Sequence, residues 1–196
     1  MSQYQAAPAH PGPHPAGPQG RAGRAVRRPG TLTALVWTTV LSAVAAIIGA
    51  VMVFAGGEDM AEDNINDVIH DHPDIVGLPS GTTAADIKAL SGPLWDEMVS
   101  DRAGTLSARA GFAIFTAVCL LIFALAARKG AATWARVLIT VSAVIAVFPH
   151  ILIMGDYEPD AVVMTSLVAL LTAVAAIVLC WLPPVNRFAR GRKATG

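Results

Sequence analysis

The sequence predicts an all-α, polytopic membrane protein in which four transmembrane helices form a bundle. Of its 196 residues, 54% are hydrophobic and only 14% are charged, and the mean hydropathy is +0.55. Four uncharged apolar runs are each long enough for a helix to cross roughly 30 Å of hydrocarbon. A helix satisfies its own backbone hydrogen bonds, as any segment inside a bilayer must. The predicted spans are about residues 32–55, 110–127, 137–154 and 161–182.

The first segment, residues 1–30, is rich in Pro, Gly and Ala and shows no apolar periodicity. Such a composition buries too little apolar surface to offset the entropy of ordering, so we expect a disordered cytoplasmic tail. The first span that follows is longer than the apolar core of a cleaved signal peptide, and "AVMVFAGG" offers no A-x-A site. We therefore expect a retained signal anchor, which is the first of the four spans in a transmembrane domain that occupies residues 31–182.

Residues 56–106 form the one sizeable extracytoplasmic loop of this scheme, and two stretches in it have helical periodicity. The first stretch, 58–71, ends before Pro73, and the second begins after a cap at Thr82 or Thr83 and is interrupted or restarted at Pro93. We expect two short amphipathic helices that lie on the outer membrane surface or across the mouth of the bundle. Their apolar positions are Ala61, Ile65, Val68 and Ile69 in the first, and Ile87, Leu90, Leu94 and Met98 in the second.

Prolines and small residues mark the remaining elements. Pro149 is expected to kink the third span near its outer end, and Pro183 with Pro184 is expected to end the fourth. Residues 183–196 then form a basic cytoplasmic tail. Small residues four apart, such as Ala45 and Gly49, permit close helix packing, either within one bundle or between two copies.

The charge distribution predicts the orientation. Eleven of the 14 Lys and Arg residues lie in the N-terminal segment, the connection between the second and third spans, and the C-terminal tail. All 14 Asp and Glu residues fall on the other side if four spans alternate. The positive-inside rule therefore places both termini in the cytoplasm of a plasma-membrane protein. Tryptophans near the span ends are expected to anchor the helices at the two interfaces; they are Trp37, Trp95, Trp134 and Trp181.

Several function classes are disfavoured by what the chain lacks. The net charge is zero, so no bulk attraction to nucleic acid is expected. The spans carry no Asp or Glu, there is no C-x-x-C, and no nucleophile–base or cofactor motif is visible. We therefore predict a protein that is not an enzyme and uses no cofactor. Arg109 is expected to reach out to the acidic loop, and His150 to hydrogen-bond at the rim of the bundle.

The stretch "DNINDVIHDHPD" is the strongest candidate for chemistry. On a helix, Asp63, Asp67 and His70 share one face at i, i+4 and i+7, and His72 follows in the turn. With His150 joining from the membrane rim, these carboxylates and imidazoles would suit Zn²⁺ or another transition ion. Two other interpretations stay open. The residues can form an ordinary solvated face, or the histidines can act as a pH sensor beside clustered carboxylates.

In layout, the chain resembles the small four-helix integral membrane proteins of actinobacteria. The features that carry the resemblance are the Pro/Gly/Ala-rich N-terminus, one extracytoplasmic loop before the second span, the loop phrase "GPLWDEMVSDRAGTLSARAGF" and the exit "WLPPVNRFARGRK". The resemblance implies a membrane bundle and supplies no catalytic residues.

The sequence therefore predicts a non-enzymatic plasma-membrane protein with an accessory, scaffold or envelope-associated role. Its expected partners are the lipid bilayer and either another membrane protein or a second copy of itself. The alternative is an extracytoplasmic cation- or pH-responsive sensor, or a transport component, that uses the acidic, histidine-containing loop.

Overall fold

The computed structural model describes residues 29–128 and 133–193, and every regular element in these two ranges is a helix. Residues 1–28 of the predicted disordered tail, part of the basic connection between the second and third spans, and residues 194–196 lie outside this description. The six helices are α1 (Gly30–Asp71), α2 (Ala84–Ser91), α3 (Pro93–Arg128), α4 (Thr133–Gly155), α5 (Asp160–Trp181) and α6 (Pro183–Lys193).

Four of these helices, α1, α3, α4 and α5, are long and apolar enough to cross a membrane. The prediction of an all-α chain with four apolar helices of spanning length is confirmed at this level. We call the end of these helices that carries residues 58–109 and 156–159 the acidic end. The opposite end, which carries α6 and the first turns of α1 and α4, is the basic end.

Helix α1 is 42 residues long and contains one break in its helical geometry, at Gly57. Its φ of 51° and ψ of −131° lie where an L-residue with a Cβ is strained, so a glycine is needed there. Beyond the break the chain continues as a helix to Asp71, where Pro73 follows as expected. Residues 58–71 are therefore helical, but they form the last part of α1 and not a separate short helix.

The second predicted amphipathic helix is divided between two elements. Thr83 caps α2: its hydroxyl accepts a hydrogen bond from the Asp86 amide, and the Asp86 carboxylate accepts one from the Thr83 amide. The helix stops after eight residues because Gly92 adopts a φ of 53°, and Pro93 then begins α3. From there α3 runs without interruption for 36 residues. Much of the predicted loop 56–106 thus belongs to α1 and α3, which extend beyond the predicted spans at the acidic end.

The spanning helices contact one another through small side chains. Helix α1 lies against α3 and α5, and α4 lies against the same two helices. The Ser42 hydroxyl of α1 donates a hydrogen bond of 2.8 Å to the Ala169 carbonyl of α5. A Cβ added at Gly49 would collide with the Thr165 hydroxyl of α5. The small residues of α1 that the sequence singled out therefore serve contacts within the chain.

The segment after Pro183 is helical. Helix α5 ends at Trp181, as the two prolines predicted, and Pro183 becomes the first residue of α6. Val185 and Phe188 of α6 are buried in the same hydrophobic cluster as Leu32 and Leu35 of α1. The predicted basic tail thus folds back, up to Lys193, onto the basic end of the other helices.

Candidate functional site

The polar side chains of the acidic end converge on the loop between α4 and α5. Arg102 of α3 donates three hydrogen bonds there: Nε to Asn64 Oδ1 (2.9 Å), Nη1 to Asp156 Oδ2 (2.7 Å) and Nη2 to the Asp156 carbonyl (2.9 Å). Arg109, two turns further along α3, donates from Nη1 to the carboxylates of Asp156 and Glu158. We call Asn64, Arg102, Arg109, Asp156 and Glu158 the latch, because they join three separate parts of the chain.

The two carboxyl groups of the latch have opposite pKa shifts. Burial raises the pKa of Asp156, but hydrogen bonds from Arg102 and Arg109 lower it more, so its pKa lies below the ordinary value. Glu158 is only 5% exposed, and burial raises its pKa above the ordinary value although Arg109 opposes the shift. Asp156 is therefore the firmly ionised member of the latch.

Asn64 and Tyr157 complete the contact between α1 and this loop. Asn64 is 2% exposed, and its Nδ2 donates a 2.6 Å hydrogen bond to the Tyr157 carbonyl. Tyr157 has a φ of 49°, in the left-handed region that non-glycine residues rarely adopt. The Tyr157 ring lies 4.6 Å from the ring of His72, which follows α1. The contacts from Asn64 of α1 and from His72 thus help to maintain this sparsely populated backbone conformation of Tyr157.

A cavity of about 390 Å³ opens beside the latch, and we call it the cap pocket. This volume lies within the range of small-molecule sites. Its polar rim consists of Asn64, Arg102 and Asp156, which are already bonded to one another. Its other wall residues are apolar or aromatic: Ile65, Val68, Ile69, Ile75, Val76, Leu78, Ile87, Met98 and Tyr157. A ligand that matches this surface is largely apolar.

The structure does not gather the five residues of the predicted metal site. Asp63, Asp67 and His70 are exposed on the outer part of α1. His70 Nδ1 lies 2.7 Å from the Asp71 carboxylate, and His72 packs on Tyr157. Within the described ranges, no three His, Cys, Asp or Glu side chains are grouped so that they could hold a metal ion. The metal site stays a prediction, without support from this geometry.

His150, the fifth candidate, lies apart from the other four and is buried among the helices. It is 2% exposed, and its Nδ1 is buried with no hydrogen-bond partner among the described residues. The expectation of a hydrogen bond at the rim is thus not met at this nitrogen. A cavity of about 10 Å³, lined by His150, Glu158 and Ser166 among others, adjoins it. This is about the room that one water molecule needs.

Sequence reasoning missed most of the latch. Arg109 was expected to reach the acidic loop 56–106, but its two carboxylate partners, Asp156 and Glu158, lie in the loop between α4 and α5. Arg102, Asn64 and Glu158 were not singled out. One signal was present, because only three basic residues lie on the acidic side and each would be drawn to a carboxylate there. Trp95 was expected at the membrane interface and is instead buried in the core of the acidic end, only 1% exposed.

The chain matches no protein-family model, no curated protein and no solved structure.

Proposed function

We propose that this chain is a non-enzymatic, multi-pass protein of the plasma membrane with an accessory or scaffold role at the cell envelope. In this proposal α1, α3, α4 and α5 form a four-helix bundle in the bilayer, both termini are cytoplasmic, and the acidic end faces outward. Support comes from the four apolar helices and from the separation of basic and acidic residues between their two ends. Its partners are the bilayer and a second membrane protein or copy of itself.

The proposed role at the cell envelope is supported chiefly by the cap pocket. Its walls are apolar, and the charges on its rim already neutralise one another, so a bound ligand needs no charge of its own. The pocket lies beyond the apolar runs of α1 and α3, close to where the outer leaflet would begin in this proposal. We infer that the pocket holds an apolar chain, such as the acyl chain of an envelope lipid.

A photoactivatable fatty acid tests this proposal. After irradiation of the purified full-length protein in detergent, mass spectrometry should locate adducts on peptides of the cap pocket. Val68 lines the pocket, so Val68→Trp should fill it and remove these adducts. Val118 lies exposed on the side of α3, and Val118→Trp is the matched control that should keep them. Adducts confined to the apolar runs 32–55, 110–127, 137–154 and 161–182, or adducts unchanged by Val68→Trp, would contradict the proposal.

A separate experiment tests the orientation. A reporter fused after Ala55 should be detected outside the cytoplasm, and one fused after Gly130 should be detected inside it. Detection of the first reporter in the cytoplasm would overturn the proposed topology, whatever the cap pocket binds.

A second candidate function is the cation- or pH-responsive sensor. It is favoured by one observation, the contact of His72 with Tyr157, since that places a titratable ring against the residue that follows Asp156 of the latch. Zn²⁺ titration of the wild type against the double variant His70→Ala/His72→Ala examines it. The sensor requires a weaker affinity in the double variant. Equal affinities would remove both histidines from a metal site.

A further inference from the structure

A second pocket, of about 400 Å³, lies at the basic end between the start of α4, the end of α5 and α6. We call it the basic-end pocket. It is lined by Thr133, Arg136, Trp181, Asn186, Ala189 and Arg190. Its lining is more polar than that of the cap pocket, and two of its six wall residues are arginines.

Arg136 is the buried member of this pair, at 3% exposure. Its Nε donates to the Cys180 carbonyl (2.8 Å) and its Nη2 to Asn186 Oδ1 (2.5 Å), and its guanidinium lies 4.9 Å from the centre of the Trp181 ring. All of these partners are neutral. Within the described ranges, no carboxylate lies within salt-bridge distance of Arg136, whereas Arg102 has one and Arg109 has two.

A buried guanidinium without a counter-ion is costly, since burial removes hydration that neutral hydrogen bonds replace only in part. The remaining nitrogen of Arg136, Nη1, has no hydrogen-bond acceptor in the described part of the chain. The electrostatics of the pocket therefore favour an anion.

The surrounding contacts hold the pocket in shape. Asn186 Nδ2 donates to the Trp181 carbonyl (3.0 Å), and Trp181 Nε1 donates to the Thr140 hydroxyl (3.1 Å). Arg190 is exposed and lies four residues after Asn186 on α6, so the two residues share a helix face. Because Val185 and Phe188 fix α6 by burial, Arg190 is carried on a docked helix and not on a loose tail.

We infer that the basic-end pocket binds the phosphate group of an anionic phospholipid. Two guanidinium groups match the geometry and charge of a phosphate, and Arg136 gains the anion that the protein does not supply. The exposed Trp181 ring on the pocket wall suits the boundary between headgroups and acyl chains. The inference rests on the membrane insertion proposed above and not on the cap pocket. A free phosphate ion has the same chemistry, and the experiment separates the two sources.

Native mass spectrometry of the full-length protein in detergent provides the test. The probes are phosphatidylglycerol, phosphatidylcholine and inorganic phosphate. The wild type should retain one phosphatidylglycerol in preference to phosphatidylcholine. Arg190→Gln removes one guanidinium without disturbing the buried Arg136, and we expect retention to fall about tenfold, the equivalent of one charge-assisted contact. Arg187→Gln is the matched control, since Arg187 is an exposed arginine of α6 outside the pocket.

Each outcome decides a point. Preference for phosphatidylglycerol that is lost in Arg190→Gln and kept in Arg187→Gln supports a lipid phosphate site. Competition by inorganic phosphate, with no preference between the two lipids, supports the phosphate site and assigns it to a soluble ion. Equal losses in the two variants, or no preference and no effect of phosphate, would overturn the inference. None of these outcomes depends on whether the cap pocket binds an acyl chain.

Discussion

Arg102 and Asp156 are 54 residues apart in the chain and share two hydrogen bonds, one to the Asp156 side chain and one to its carbonyl. Because the two acceptors belong to one residue, the guanidinium fixes both the side chain and the backbone of the α4–α5 loop. The part of α3 at the acidic end therefore cannot tilt away from this loop without breaking both hydrogen bonds. The wall and the rim of the cap pocket depend on this contact.

Replacement of Arg102 by Gln should destabilise the protein by about 1–3 kcal/mol, since it leaves Asn64 Oδ1 and the Asp156 carbonyl without the donor that they have in the wild type. Lys88→Gln is the control. Lys88 also forms a pair, with its Nζ 2.7 Å from Glu62 Oε1, but that pair is exposed and should contribute little to stability. Thermal unfolding in detergent measures both variants. Equal changes in Tm would show that the latch contributes no more than a surface pair.

The contribution of Asp156 should depend on pH. Its pKa in the folded protein lies below the ordinary value, so its stabilising effect is present above that ordinary value, about 4, and is lost as the pH falls through the lowered pKa. Asp156→Asn should therefore be less stable than the wild type at pH 7, and the difference in Tm should shrink as the pH is lowered from 5 toward 3. A difference that stays constant over this range would contradict the ionised latch.

Two glycines of the apolar helices, Gly49 and Gly111, should respond differently to replacement by Ala, because only Gly49 lies against a neighbouring helix. Gly49→Ala should destabilise the protein by about 1 kcal/mol or more, because the new methyl group meets the Thr165 hydroxyl, which is hydrogen-bonded to the Val162 carbonyl (2.9 Å). Gly111 also lies within a spanning helix, but a Cβ there meets no atom within 4 Å. Gly111→Ala should be neutral or stabilising by up to about 1 kcal/mol. In detergent the Tm should fall for Gly49→Ala and should stay the same or rise for Gly111→Ala, and equal losses in both variants would argue against the α1–α5 contact.

Two tryptophans should respond differently to truncation. Trp95 is buried and its Nε1 donates to the Glu62 carboxylate (3.2 Å), so Trp95→Ala should cost about 3–5 kcal/mol. Trp134 is 58% exposed on the outer surface of α4, and Trp134→Ala in detergent should change the Tm little. Trp95→Phe, which keeps most of the apolar volume, should recover most of the loss. A small effect of Trp95→Ala would place this ring outside the core of the acidic end.

The four apolar helices of spanning length could be predicted because they depend on local features. An apolar run of sufficient length is recognisable without knowledge of its neighbours, and Pro73, Thr83 and Pro183 act within a turn of their own positions. The extent of α3 was harder to predict. Residues 93–109 carry charges that suggest a loop, and they are helical because Trp95, Val99 and Leu106 pack against the outer part of α1.

For the candidate site as well, some features could be predicted from the sequence and others depend on the tertiary structure. The charge asymmetry between the two ends is present in the sequence, and so is the acidic stretch around His70. Which carboxylate meets which arginine is not present there, because Arg102 and Asp156 become neighbours only when α3 packs beside the α4–α5 loop. Likewise, nothing local distinguishes the buried Arg136 from the exposed Arg187. The sequence by itself determined a helical chain with four apolar spans and opposite charge at their ends. Tertiary structure alone decided the latch and the two pockets, because the energies of burial and of paired charges depend on distances between residues remote in the chain.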